Sequence, residues 1–162
     1  MPKLTALNYA LYLLGRRGRT IQELRFKLTD KEYPAEDITE TLRRLVAMGL
    51  IDDKKYAAQY ANDKVRIYRR GRHRIGLELM LKGVDKETIA EAVGAINEDD
   101  EFAAAASLLE GRRRAWRDFH PRKRFERAFQ LLQRRGFSGK VVKQAIEEFE
   151  NKEKADGAST VS

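Results

Sequence analysis

The chain has 162 residues, 36% charged and 42% apolar, which suits amphipathic helices but supplies no apolar run long enough to span a bilayer and no charged-then-apolar leader. It has no cysteine, so disulfides and thiolate metal sites are excluded, and a soluble protein of the reducing cytoplasm is expected. The formal charge of +8 draws it towards polyanions, nucleic acid foremost, although a ribosome, a membrane surface or an acidic protein would exert the same pull.

The first helix is expected in TALNYALYLL, where Leu7, Leu11 and Leu14 share a face, and Gly15 to Gly18 break it. Thr20 followed by Glu23 forms a capping box that opens a second helix through Leu24 and Leu28. Pro34 sits where a first-turn proline is tolerated, with Glu36 and Asp37 beside the positive end of a third helix that runs to about Met48 and stops at Gly49. Asp52 and Asp53 then read as helix caps rather than metal ligands. The helix they open turns Tyr56, Tyr60 and Ile67 or neighbouring positions inward and passes into KVRIYRRGRHR, where six of eleven residues are Lys or Arg and none is acidic. IGLELMLK up to Gly83 and DKETIAEAVGAI supply the next two helices. EDDEFAAAASLL follows, then RRRAWRDFHPRKRFER, a longer basic connection with eight Lys or Arg against Asp118 and Glu126. The last twelve residues, NKEKADGASTVS, have no apolar face and read as a frayed or disordered tail.

The same apolar skeleton recurs three times. It is Leu28, Tyr33, Ile38, Leu42, Leu45; then Leu81, Val84, Ile89, Val93, Ile96; then Leu132, Phe137, Val142, Ile146, Phe149. The last three members always follow i, i+4, i+7, one face of a helix, and Pro34, Gly83 or Gly136 marks the break ahead of them. A further helix precedes each pair, and IDDKKYAAQYA from Ile51 matches NEDDEFAAAAS from Asn97 through the acidic pair and the aromatic-Ala step. The expected fold is all-α, an elongated array of three tandem three-helix repeats of helix-turn-helix-like form, at 1–51, 52–98 and 99–150, with 151–162 as the polar tail. Net charge is +3, +2, +3 and zero over these segments, so the basic excess follows the array.

Enzyme signatures fail one at a time. Gly71 to Gly76 has the G-x-x-x-x-G spacing, but Leu77 and Glu78 follow where a phosphate loop needs Lys and Ser or Thr. His73 and His120 lie in separate basic stretches without a nucleophile or further metal ligands. No catalytic, cofactor or metal residue is expected. The basic stretches are the binding candidates: Arg66, Tyr68, Arg69, Arg70, Arg72, Arg74 and Lys82 in the second repeat, and Arg112, Arg113, Arg114, Arg122, Lys123 and Arg124 in the third. If the helix continues to Gly71, then Arg66, Arg69, Arg70 and Arg74 form one positive stripe with Tyr68 as a stacking surface. Guanidinium forks suit phosphates and carboxylates alike. Trp116, Phe119 and Phe125 read as core residues more readily than as stacking platforms.

ALYLLGRRGRTIQELRFKL, the junction MGLIDDKKYAAQY and the run RRGRHRIGLELMLKGVDKETI together resemble the RecX family of bacterial recombination regulators, over roughly residues 5 to 150. The resemblance implies an all-helical array that binds RecA, lies in the groove of its filament on single-stranded DNA, and suppresses ATP hydrolysis, strand exchange and coprotease activity in recombination, DNA repair and the SOS response; a monomer is the default expectation. It implies a regulator without catalysis or cofactor, with direct DNA contact left open. The third repeat departs most, with its Ala-rich first helix and longer connection. Two other readings stand beside this one: a DNA-binding helix-turn-helix protein, steep in salt and indifferent to RecA, and an adaptor that uses its apolar faces.

Overall fold

The computed structural model describes residues 3–160. Ten helices carry them: α1 (Ala6–Arg16), α2 (Ile21–Asp30), α3 (Ala35–Ala47), α4 (Asp53–Arg66), α5 (Arg72–Leu81), α6 (Lys86–Gly94), α7 (Glu98–Glu110), the short α8 (Arg113–Trp116), α9 (Pro121–Arg134) and α10 (Gly139–Ser159). No strand occurs among the described residues, and no helix there is long and apolar enough to cross a membrane. The chain is all-α, as its periodicity implied.

Local chemistry sets most of the helix starts. Thr5 accepts the Asn8 N–H at 3.2 Å, Thr20 and Glu23 form the reciprocal capping box, Asp52 accepts the N–H groups of Lys54 and Lys55, and Ser138 accepts that of Val141. The second helix of each repeat then ends in the same closing turn. The N–H of Tyr33, Val84 and Phe137 returns to the carbonyl of Leu28, Leu79 and Leu132 at 3.2, 3.1 and 3.2 Å. The residue just before takes a left-handed conformation, Glu32 at φ +59° and Gly83 and Gly136 at +78°. The middle copy of the skeleton therefore starts at Leu79. Leu81 is 84% exposed, because Leu79 is the residue that the turn carries onto the core face.

The described residues fall into two compact units, 3–59 with 78–92, and 60–77 with 93–160. In the first, Ala6, Ala10, Leu13, Leu24, Leu28, Ile38, Leu42, Leu45 and Ile51 form the core. Ala6, Ala10 and Leu13 are the buried residues of α1; of Leu7, Leu11 and Leu14, which share the neighbouring face, Leu7 and Leu14 are half-buried against this core and Leu11 is exposed. In the second unit, α10 packs on α7 and α9, burying Ala105, Leu109, Leu132, Phe137, Val142, Ile146 and Phe149.

Two further expectations need correction. Along α4 the buried positions are Ala57, Ala61 and Val65, with Tyr56 and Tyr60 half-buried and Ile67 67% exposed. The segment read as a disordered tail continues α10 to Ser159. Its acidic residues hold it: Glu153 pairs with Arg113 and, at 3.8 Å, with Arg124, and Asp156 lies 3.9 Å from Arg113.

Candidate partner-binding surface

The start of the second helix in each of the first two repeats is completed by the repeat that follows. At α2, the Thr20 hydroxyl donates to the Lys82 carbonyl at 2.6 Å, and the Ile21 N–H donates to Asp53 Oδ1 at 3.0 Å. The Lys82 ammonium donates to Glu23 Oε1 at 3.0 Å, closing the capping box from outside. At α5, the Gly71 and His73 N–H groups donate to the carbonyls of Arg135 and Gly136 at 2.8 and 3.0 Å. The Arg72 N–H and Nε donate to the two carboxylate oxygens of Glu101 at 3.2 and 2.7 Å, and the Ser138 N–H adds a bond at 3.4 Å. Asp53 and Glu101 do the same work at the two joints: each places a carboxylate from the next repeat's first helix on the first N–H of α2 or α5. Glu101 is fully buried.

The joint at α2 has a pH signature. Burial alone would raise the Glu23 pKa, but the Lys82 ammonium and the Thr20 N–H outweigh it and hold the carboxyl below the usual glutamate range. Lys82, against its own burial, is lifted by Glu23. A depressed carboxylate pKa stabilises the fold above the usual glutamate value and ceases to do so as pH falls through the lowered one. A raised ammonium pKa stabilises below the usual lysine value and ceases to do so as pH climbs through the raised one. Lys82→Met is therefore expected to be less stable than the native chain at neutral pH, with the gap closing as pH falls below the usual glutamate range in urea titrations. A gap that stays constant with pH would remove the ion pair from the account.

Six of the basic candidates form ion pairs within the fold. Arg66 grips Asp100 through Nε and a terminal nitrogen at 3.0 and 2.8 Å, Arg72 is held by Glu101, and Lys82 by Glu23. Arg113 pairs with Glu110 and Glu153, Arg124 with Glu150 at 3.2 Å, and Arg122 with Glu126 at 3.1 Å on the surface of α9. Arg69, Arg74, Arg112, Arg114 and Lys123 are exposed, and Arg70 is half-buried. No continuous stripe forms, since α4 ends at Arg66 and the chain turns before α5 begins at Arg72. Trp116 rests edge-on against Phe149 at 6.4 Å, a packing contact, while Phe125 is exposed and stacks on Phe129 at 6.2 Å. His120 caps α9, accepting the Arg122 N–H, and no group of metal-ligating side chains occurs among the described residues.

The turn between α4 and α5 was legible only as charge. Ile67 and Tyr68 point into solvent, 67% and 51% exposed, and Arg69 takes φ +49°, a left-handed conformation that costs an L-residue about 1–2 kcal/mol. The turn is pinned all the same. The Arg70 N–H donates to the Lys64 carbonyl at 2.9 Å, and the Arg135 guanidinium donates to the Tyr68 carbonyl at 3.2 Å. The Lys64 ammonium lies 3.9 Å from the centre of the Tyr68 ring and 5.0 Å from that of Tyr60. Arg69→Gly is expected to stabilise the chain by up to about 1 kcal/mol, the strain relieved less the extra entropy glycine loses, read from the urea midpoint.

Three family models match the chain in order: RecX, first three-helix domain, at residues 6–45; RecX, second three-helix domain, at 52–93; and RecX, third three-helix domain, at 98–146. Regulatory protein RecX of Mycobacterium sp. (strain JLS) is 35% identical over 134 residues, covering 80% of this chain and 73% of that protein. Regulatory protein RecX of Bacillus velezensis is 30% identical over 153 residues, covering 93% of this chain but only 58% of that longer protein. The crystal structure of RecX from Lactobacillus salivarius superposes with a TM-score of 0.83 at 26% identity, covering 90% of this chain and 94% of that one.

Proposed function

The chain belongs to the RecX family, and on that footing we propose that it is a cytoplasmic, monomeric regulator that binds the RecA filament on single-stranded DNA and suppresses its ATP hydrolysis, strand exchange and coprotease activity. The observation that carries this reading is the ordered match to all three RecX three-helix domains, 6–45, 52–93 and 98–146. The physical features agree with a binding role. Net positive charge is spread over all three repeats, and Arg69, Arg74, Arg112, Arg114 and Lys123 are exposed. Weak contacts of this kind add through effective concentration when one chain engages several subunits of a filament, and bridged subunits are then held out of the geometry that ATP turnover needs.

The test is ATP hydrolysis by RecA at fixed single-stranded DNA, titrated with this protein, with binding to bare DNA followed at the same salt. Hydrolysis is expected to fall at protein concentrations well below those that coat the DNA. Inhibition that sets in only when the DNA itself is saturated would replace this reading with direct DNA binding, whose salt dependence is steep. Reversing charge at Arg69, Arg70 and Arg74 together is expected to raise the half-inhibitory concentration at least tenfold while the far-ultraviolet helical signal stays intact. Unchanged inhibition would clear these three residues of the role.

A further inference from the structure

We propose that the turn Ile67–Arg70 is a preformed docking tip whose exposed end, Ile67 with Tyr68, enters a pocket on a protein partner, and that this pocket is apolar at its floor and edged by carboxylates. The proposal rests on the reading that the chain acts on a recombinase filament; what it adds is the kind of contact and the residues that make it.

Four observations carry it. Ile67 and Tyr68 are adjacent large side chains exposed at the same turn. Its geometry comes from main-chain bonds, Ile67 N–H to the Asp63 carbonyl at 2.8 Å and Arg70 N–H to the Lys64 carbonyl at 2.9 Å, which any side chain would permit. A polar residue at position 67 would satisfy the same turn and lower the apolar surface shown to water.

The turn is also rigid. Gly71 on its far side donates to the Arg135 carbonyl, the Arg135 side chain returns to the Tyr68 carbonyl, and Arg69 keeps a left-handed φ that glycine or asparagine would hold at lower cost. Strain held in place by surrounding bonds is a mark of a segment shaped for contact. A preformed tip also loses little conformational freedom on binding.

Charge and ring geometry then choose the class of partner. Arg69 is exposed beside the tip, with Arg70 and Arg74 close in sequence, so the pocket's rim is acidic. Lys64 lies over the Tyr68 ring at 3.9 Å, with the Arg70 guanidinium at 5.9 Å, so the π-system is already engaged by cations. A nucleobase needs a free ring face to stack. Tyr68, half-exposed with a cation already over its ring, forms with the branched aliphatic Ile67 an anchor of the kind protein interfaces bury at their centres.

The test compares the native full-length chain with Ile67→Asp, Ile67→Ala and Tyr68→Ala. Each is titrated onto RecA filaments assembled on oligo-dT with a slowly hydrolysed ATP analogue, and separately onto bare oligo-dT. Ile67→Asp and Tyr68→Ala are expected to weaken filament binding at least tenfold, and Ile67→Ala several-fold. Thermal unfolding and bare-DNA binding should stay as in the native chain, and the loss should persist at raised salt. Filament binding by Ile67→Asp equal to native would overturn the tip while leaving the family reading standing. Equal loss on bare DNA would make the turn a nucleic-acid contact and overturn it as well. If the native chain itself does not bind the filament, the functional reading falls and takes the tip with it.

Discussion

Replacing Glu101 with alanine is expected to cost about 3–5 kcal/mol, the range for removing one partner of a buried ion pair. The carboxylate is fully buried and closes three separate donors: the Arg72 N–H, the Arg72 guanidinium and the Ser138 N–H. Its loss leaves a partly buried cation and two helix-start N–H groups without an acceptor, each a desolvation cost that water reaches poorly. For a chain of this length that corresponds to a fall in Tm of roughly 10 °C. Glu101→Gln keeps an acceptor for the backbone and loses the charge, so its cost should fall between native and alanine. Arg72→Ala combined with Glu101→Ala should recover only part of the loss, since the N–H groups of residues 72 and 138 stay unsatisfied whichever side chain is at position 72. Urea unfolding of the four proteins decides the matter. A cost below about 1 kcal/mol for the alanine variant would mean that solvent substitutes for the carboxylate and that the joint is open.

Gly136→Ala is expected to be comparably damaging, by about 3 kcal/mol, from two causes that other glycines separate. Gly136 has φ +78°, and a Cβ there would lie 2.4 Å from the Arg74 nitrogen and 2.5 Å from its Cβ. Gly49 has φ +70° with nothing within 4 Å of such an atom, so Gly49→Ala carries backbone strain alone, about 1 kcal/mol. Gly71 has no positive φ, but its Cβ would lie 2.2 Å from the Phe137 nitrogen, so Gly71→Ala carries the steric clash alone, about 2 kcal/mol. The ordering Gly136, then Gly71, then Gly49 is the expected result in denaturant titrations. Equal costs at all three would show that the chain at Gly71 and Gly136 yields easily and that the close contact between them carries no stability.

How much of this was readable in advance depends on the range of the interaction. Thr20 with Glu23, Asp52, and the i, i+4, i+7 faces of α3 and α10 are signals within one or two turns, and the fold respects them; in α6 the face turns by one position, burying Thr88 and Ala92 and leaving Ile89, Val93 and Ile96 half-buried. Errors arose where two faces were equally apolar. In ALNYALYLL the face of Leu7, Leu11 and Leu14 lies beside the buried Ala6, Ala10 and Leu13, and of Leu7, Leu11 and Leu14 only Leu11 turns to solvent. In IGLELML, both Leu79 and Leu81 fit the pattern until the turn at Gly83 fixes which one is carried inward. Glu101 was hidden for a different reason. Within EDDE it reads as one more acidic residue near a helix start, while the structure buries it fully and closes it against residues 29 and 37 positions away. Charge in the basic stretches was equally legible, but which guanidinium groups are spent inside the fold was not. Arg66, Arg72 and Arg124 find their carboxylates 34, 29 and 26 positions along the chain.

The dependence of α2 and α5 on the following repeat gives the protein an order of maturation during translation. Synthesis runs from the N-terminus, and the Thr20 hydroxyl waits for a carbonyl 62 positions downstream, while the Gly71 N–H waits for that of Arg135. A nascent chain halted before Lys82 leaves the start of α2 in water, and one halted before Arg135 does the same to α5. Helix α9 has no such wait, because His120 and Pro121 close its first turn from within the segment just made. Each of the first two repeats therefore reaches its native form on the ribosome one repeat late, and the third does so as its own helices emerge.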